Sequence, residues 1–302
     1  MMTLPASMQV FERGWLSANN ILFMDEQQTA LVDSGYLTHA PQTLALIQQA
    51  LGARKLDLLV NTHLHSDHCG GNALLQAHYG CRTLIPVADT AAVAAWDEDA
   101  LSYTATGQQC QRFGFDASLQ HGDSLQLGGM EWQVLSAPGH DPHSMILFCP
   151  QEAILISADA LWENGFGVIF PELEGESGFA EQGAILQVIR ELRPRIVIPG
   201  HGAVFSDVDT ALARAESRLD YLQADPRRNA RNALKVMLAF ILLEQRQLTL
   251  QQVFSQLGHT RVFTSSSRLL GVTVDELIPQ IAKELVAAGA ARLDGDLLIN
   301  AR

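Results

Sequence analysis

The sequence predicts an α/β layered sandwich followed by a smaller, mostly helical domain. Three observations carry that reading. Short apolar runs alternate with helical stretches through the first two-thirds of the chain, the pattern of layered α/β folds. Polar, hydrogen-bonding residues gather directly after several of those runs, at strand ends. Beyond Gly202 the texture shifts to successive helical stretches closed by a small hairpin. At 302 residues, 47% of them apolar, the chain can bury a large core. The expected division is 1–222 and 223–302.

Taken in order, residues 1–35 read as a strand pair, and 41–51 as a helix ending at Gly52. Leu56, Leu58, Leu59 and Val60 mark a buried strand. Residues 72–79 form a helix stopped by Gly80, 83–87 a strand and 89–96 a helix. Strand pairs turn around Gly122-Asp123 and Gly128-Gly129. Further strand-like runs end near Gly139, Ala158 and Gly200. Residues 209–222 place Ala211, Ala215, Leu219 and Leu222 on one helix face. A polar, basic break at 225–229 precedes a long apolar helix, then come helices at 249–257 and 274–288 and a hairpin around Asp294-Gly295.

The chemistry concentrates in His63-Leu64-His65-Ser66-Asp67-His68. On extended backbone, side chains at i and i+2 point the same way, so His63 and His65 can grip one ion together. Asp67 and His68, past the bend, can reach a second. Three further candidates, His140, Asp159 and His201, each follow an apolar run and lie beside glycine or other small residues. Such neighbours let backbone turn sharply and approach an ion closely. Together these make five histidines and two aspartates.

Over about residues 15–205 the order of these motifs resembles the metallo-β-lactamase-fold hydrolase superfamily. The resemblance implies a four-layer αββα sandwich. It implies that His63, His65 and His140 hold one metal, that Asp67, His68 and His201 hold a second, and that Asp159 bridges them. Asp33, at the end of an early strand, would orient a histidine, as such carboxylates commonly do. The cofactors are then two divalent ions: zinc is preferred, and imidazole with carboxylate also suits iron or manganese. Two such ions polarise a carbonyl or phosphoryl oxygen and lower the pKa of bound water from about 15.7 toward 7. The implied nucleophile is a bridging hydroxide, with Asp67 orienting it or taking its proton as the catalytic carboxylate.

Departures from the family pattern narrow the activity. Asp159 stands where some antibiotic-hydrolysing relatives place cysteine, and His65 where diiron reductases place glutamate. The run from Thr62 to Asn72 is most similar to glyoxalase II, which favours a small thioester or related acyl ester as substrate. Lactonase, RNA phosphodiesterase, mononuclear-iron sulfur dioxygenase and a regulatory binding protein with a vestigial site are the alternatives. His143 lies three residues after His140 where many relatives have a histidine at four, and is expected to be structural or substrate-facing. The stretch 161–178 brings Trp162, Phe166 and Phe170 among four glycines, a candidate apolar wall for an acyl group. The stretch 97–115 lacks periodicity and is expected to cover the mouth of the site. No cluster of arginine and lysine stands near the metal loops.

Charge argues against nucleic acid. The net charge is −13, with residues 1–202 carrying −14 and residues 203–302 carrying +1. Nucleic-acid binding rests on neutralising phosphates with lysine and arginine. The C-terminal helices and hairpin look like a winged-helix module, but residues 274–288 carry only Lys283 as a basic side chain. A lid or a homodimer contact is the preferred role over reading DNA. The chain has no apolar run of the ~18 residues that span a bilayer, and no basic region followed by an apolar leader. Four cysteines without paired spacing point to reduced thiols, and the cytoplasm is the expected location.

Overall fold

A computed structural model describes residues 3–301. Eleven strands build two sheets. The first runs β1 (Met8–Phe11), β2 (Asn20–Met24), β3 (Thr29–Val32), β4 (Leu58–Val60), β5 (Arg82–Pro86) and β6 (Ala117–Leu119), antiparallel to β3 and parallel thereafter. The second comprises β7 (Ser124–Leu127), β8 (Met130–Ser136), β9 (Met145–Cys149), β10 (Ile154–Ala158) and β11 (Ile196–Pro199), with only β10 and β11 parallel.

The central strands are apolar at nearly every position because both faces are covered. In β2, β3 and β4 the residues Ile21, Phe23, Ala30, Val32, Leu58 and Val60 face the second sheet. The alternating Leu22, Leu31 and Leu59 pack on helices α1 (Ala40–Leu51) and, after the short α2 (Ser66–Cys69), α3 (Asn72–Tyr79). The first sheet's outer cover is extended by α4 (Thr90–Ala95) and α5 (Tyr103–Thr106), whose Val93 and Tyr103 join a further cluster. In β10 and β11, Ile154, Ile156, Ile196 and Ile198 face inward while Leu155 and Val197 face helices. After α6 (Pro171–Glu174), those helices are α7 (Phe179–Leu192) and α8 (Val208–Gln223). The period of two, read on strands buried on both sides, makes the four layers αββα.

The C-terminal region follows without a break. It contains α9 (Pro226–Gln245), β12 (Gln247–Thr249), α10 (Leu250–Leu257), α11 (Arg261–Leu270), α12 (Val274–Ala287), β13 (Ala291–Asp294) and β14 (Leu297–Asn300). The three strands form a sheet in the order β12-β14-β13. Its helices and sheet share one apolar core, into which Val168 and Leu173 of the preceding region also insert. Among the described residues, no helix is long and apolar enough to cross a membrane.

One local expectation needs correction, and two elements were not expected. The polar stretch 225–229 does not break the chain but starts α9. Asp225 caps the helix by accepting from the Arg227 N–H, and Pro226 occupies its first turn, where a missing N–H costs nothing. Asn229 is buried and donates to the Ile169 carbonyl (2.8 Å). Helix α11 has no clear signal in the sequence because Ser265, Ser266 and Ser267 are indifferent helix formers. Tertiary packing of Val262 and Phe263, with a Thr260 cap, makes it a helix. The strand β12 is equally silent, since three residues carry no usable period.

Candidate metal centre

Five chain segments leave the C-terminal ends of strands and converge. Segment 61–68 follows β4 and enters α2, His140 follows β8, Asp159 follows β10, His201 follows β11, and Asp33 follows β3. All seven candidate donors are drawn together; six are buried and Asp67 is partly so. Their ligand atoms form three overlapping groups, each spanning no more than 4.8 Å: His63, His65 and His140; His63, His68 and Asp159; Asp67, His68 and His201.

Polar atoms within the cluster lie close together. His65 Nδ1 lies 2.8 Å from His140 Nε2 and 3.1 Å from His63 Nε2. The Asp159 carboxylate stands between the groups, 3.4 Å from His140 Nε2, 3.5 Å from His68 Nε2 and 3.9 Å from His201 Nε2. Asp67 Oδ2 is 3.1 Å from His201 Nε2. Buried His201 Nδ1 and His68 Nε2 have no hydrogen-bond partner in the protein.

The outer atoms of the rings are fixed by the protein. His68 Nδ1 donates to Asp33 Oδ2 at 2.7 Å, and Asp33 also accepts from the Thr62 N–H (2.9 Å) and hydroxyl (2.8 Å). Asp33 holds φ at 57°, a left-handed value that aspartate tolerates better than most residues. His140 Nδ1 donates to the Val168 carbonyl. Each bond selects a tautomer and turns the other nitrogen toward the cluster. Glycine makes the crowding feasible: a Cβ on Gly167 would collide with the His140 ring, and one on Gly200 with the Asp159 carboxylate. The His201 loop is pinned by Asn19, whose Nδ2 donates to the Pro199 and Gly202 carbonyls at 2.9 and 2.8 Å.

Electrostatics divide the cluster. Burial, reinforced by neighbouring imidazoles, pushes His63 well below the usual histidine range and His140 down to about 4. These rings are neutral, as metal ligands must be. Burial also opposes charge on His68, but Asp33 and Asp159 outweigh it and hold that ring well above its ordinary value. Burial likewise opposes charge on Asp159, and His201 and His68 hold its carboxyl well below the usual range. Two carboxylates around one imidazole favour a cation at this position, whether proton or metal.

Trp162, Phe166 and Phe170 line the pocket over the cluster. Trp162 Nε1 donates to Asp159 Oδ1 (3.1 Å), and Phe170 packs edge-on to His65 with ring centres 5.4 Å apart. Thr106 and Gln108, from the aperiodic 97–115 stretch, also line it. His143 is not drawn into this pocket. It pairs with Asp89 (2.7 Å) in a second hollow that shares His65, His140 and Phe170 with the first. Sequence reasoning missed Trp15, which is 47% exposed and stacks on His201 with ring centres 5.5 Å apart. It also missed Arg218, Asn232, Met237 and Phe240, which reach the wall from α8 and α9. Their only signal was helical spacing, which reads as core.

The chain matches the metallo-beta-lactamase superfamily over residues 13–201, well over half its length, and belongs to that family. A hydroxyacylglutathione hydrolase of Haemophilus influenzae is 27% identical over 201 residues, 61% of this chain and 84% of that protein. A hydroxyacylglutathione hydrolase of Rhodopseudomonas palustris is 34% identical over 150 residues, 45% of this chain, and the chain spans about half (51%) of its length. A metallo-beta-lactamase family protein from Thermus thermophilus has the same fold, with a TM-score of 0.60 at 18% identity over 99% of this chain and 100% of that one. Family and relatives imply divalent-metal binding, and the converging donors and the unpartnered His68 Nε2 that faces Asp159 fit it.

Proposed function

We propose that this metal-dependent hydrolase cleaves a small thioester or related acyl ester, using two divalent ions, zinc by preference. His63, His65 and His140 would hold one ion, Asp67, His68 and His201 the other, and Asp159 both. The observation that carries the reading is the convergence of all seven donors in three overlapping groups beneath an aromatic wall. The relatives' name, a hydrolase of an acylated thiol, supports the substrate class. When bound, the ions supply a Lewis acid for the carbonyl oxygen and lower the pKa of water toward neutrality.

The chain's own residues do the rest. Asp67 is the most exposed carboxylate of the cluster, at 14% of its side chain, and in this reading it accepts a proton from the attacking water. Asp33 keeps the His68 ring aligned, and Trp162, Phe166 and Phe170 exclude water from the acyl group. Residues 223–302 form a separate module in this reading, with a winged-helix-like arrangement of helices and three strands, that closes one wall.

Initial rates on thioesters, lactones and a phosphodiester, with protein of quantified metal content, test the proposal. Thioester turnover that is lost in Asp159→Asn supports it. Absence of thioester turnover by protein holding two ions refutes it.

A further inference from the structure

Two of the four cysteines meet beside the metal-donor cluster without belonging to it. Cys69, the last residue of α2, and Cys110, in the stretch 97–115, bring their sulfurs to 3.8 Å across 41 positions of chain. Both thiols are free. Cys81 and Cys149 lie in other apolar clusters.

The pair joins two parts of the site. Cys69 directly follows His68, and its Sγ lies 3.4 Å from the Leu64 and His65 carbonyls. Cys110 closely follows Thr106 and Gln108, which line the pocket. Two noncovalent ties already dock that stretch on α2. The Ser66 hydroxyl donates to Gln108 Oε1, and the Tyr103 hydroxyl stands 3.2 Å from Cys69 Sγ. Between α4 and β6 the only regular element is α5, four residues long, so the stretch has few backbone ties of its own.

Helix α2, by contrast, is anchored. The Asp67 and His68 carbonyls accept from the Ala18 and Ser34 N–H groups at 2.9 and 2.7 Å. Closing 3.8 Å to the about 2.05 Å of an S–S bond is a short movement, and the stretch 97–115 is the side free to make it.

We propose that Cys69 and Cys110 form a peroxide-driven disulfide that clasps the cover of the pocket to the loop carrying His63 to His68. Cys110 is 9% exposed and Cys69 fully buried, so peroxide reaches Cys110 first. The Cys110 sulfur attacks one peroxide oxygen, the O–O bond breaks, and a sulfenic acid and water form. Cys69 Sγ then attacks the Cys110 sulfur. The S–O bond breaks, and the hydroxyl leaves as water with the Cys69 proton. The two thiols lose two electrons and the peroxide gains them. Burial makes both thiols slow, so the bond forms under sustained peroxide and the thiols stay reduced otherwise.

The test treats zinc-loaded protein with hydrogen peroxide, zinc being redox-inert. Two of the four thiols disappear from a count made after denaturation, return with dithiothreitol, and map to a 69–110 linkage within one chain. Amide hydrogen exchange over residues 103–110 slows by at least about tenfold on oxidation, because a cross-link restrains local opening. Cys110→Ser keeps its three remaining thiols and shows no slowing. Cys110→Ala, which adds no hydroxyl to an apolar cluster, behaves the same and serves if the serine variant does not fold. Four free thiols after peroxide, a linkage other than 69–110, or a thiol loss that dithiothreitol does not reverse overturns the disulfide. A 69–110 bond with unchanged exchange, or slowing that persists in Cys110→Ala, overturns the clasp.

Discussion

The His/Asp cluster and the Arg218 wall face the same pocket but solve opposite electrostatic problems. In the cluster, carboxylates and imidazoles neutralise one another within 4 Å, and Asp33 and Val168 hold the outer ring nitrogens. At the wall, one guanidinium has an amide oxygen for company and an unpartnered Nε. The cluster gathers donors that suit cations, while the wall holds a cation against an aromatic ring.

The comparison breaks most visibly at the cluster. If the proposed roles hold, Asp67→Asn removes the proton acceptor and weakens one ion's ligand set, so hydrolysis falls by about 10²–10⁴-fold. Single-turnover rates and metal content, measured together, separate the two losses. A variant as active as wild type would remove Asp67 from the chemistry.

Asp33→Asn is milder. Asparagine tolerates the left-handed backbone at this position, so the fold persists while the carboxylate charge facing His68 Nδ1 is lost. Metal affinity or activity should drop by about 10–100-fold, as for comparable outer partners, in a competitive chelator titration. Gly167→Ala sharpens the steric side. Its methyl must displace the His140 ring, and overpacking of this kind costs about 1–3 kcal/mol, readable in a denaturant midpoint.

The metal-free protein carries a pH dependence as well. The folded-state value of His140, about 4, lies below the unfolded value near 6.5, and His63 and His65 are lowered in the same direction. Between those values the unfolded chain binds more protons, so stability falls as pH drops from about 6.5 toward 4. His68 has the opposite sign: its contribution is full at low pH and fades as pH rises through its raised value. Urea midpoints across this window that stay flat would show that the neutral rings are not desolvated.

Much of the site was legible because its residues are bound to local signals. His63, His65, Asp67 and His68 fall within six positions, and His140, Asp159 and His201 each sit at the end of an apolar run. Short apolar runs between helical stretches likewise announced the sheets. Arg218 and Asn232 were not legible, because fourteen residues and a helix junction separate them and each reads as an ordinary polar helix position. Trp15 gave no hint of stacking on His201, 186 positions away.

The sequence by itself therefore determined the chemistry of the donors and the layers that carry them, since period and strand-end position are local properties of the chain. Only the tertiary structure decided which side chains share the pocket across helices. It also decided which of them were left without partners there, because burial and missing counter-charges exist only once distant segments pack together.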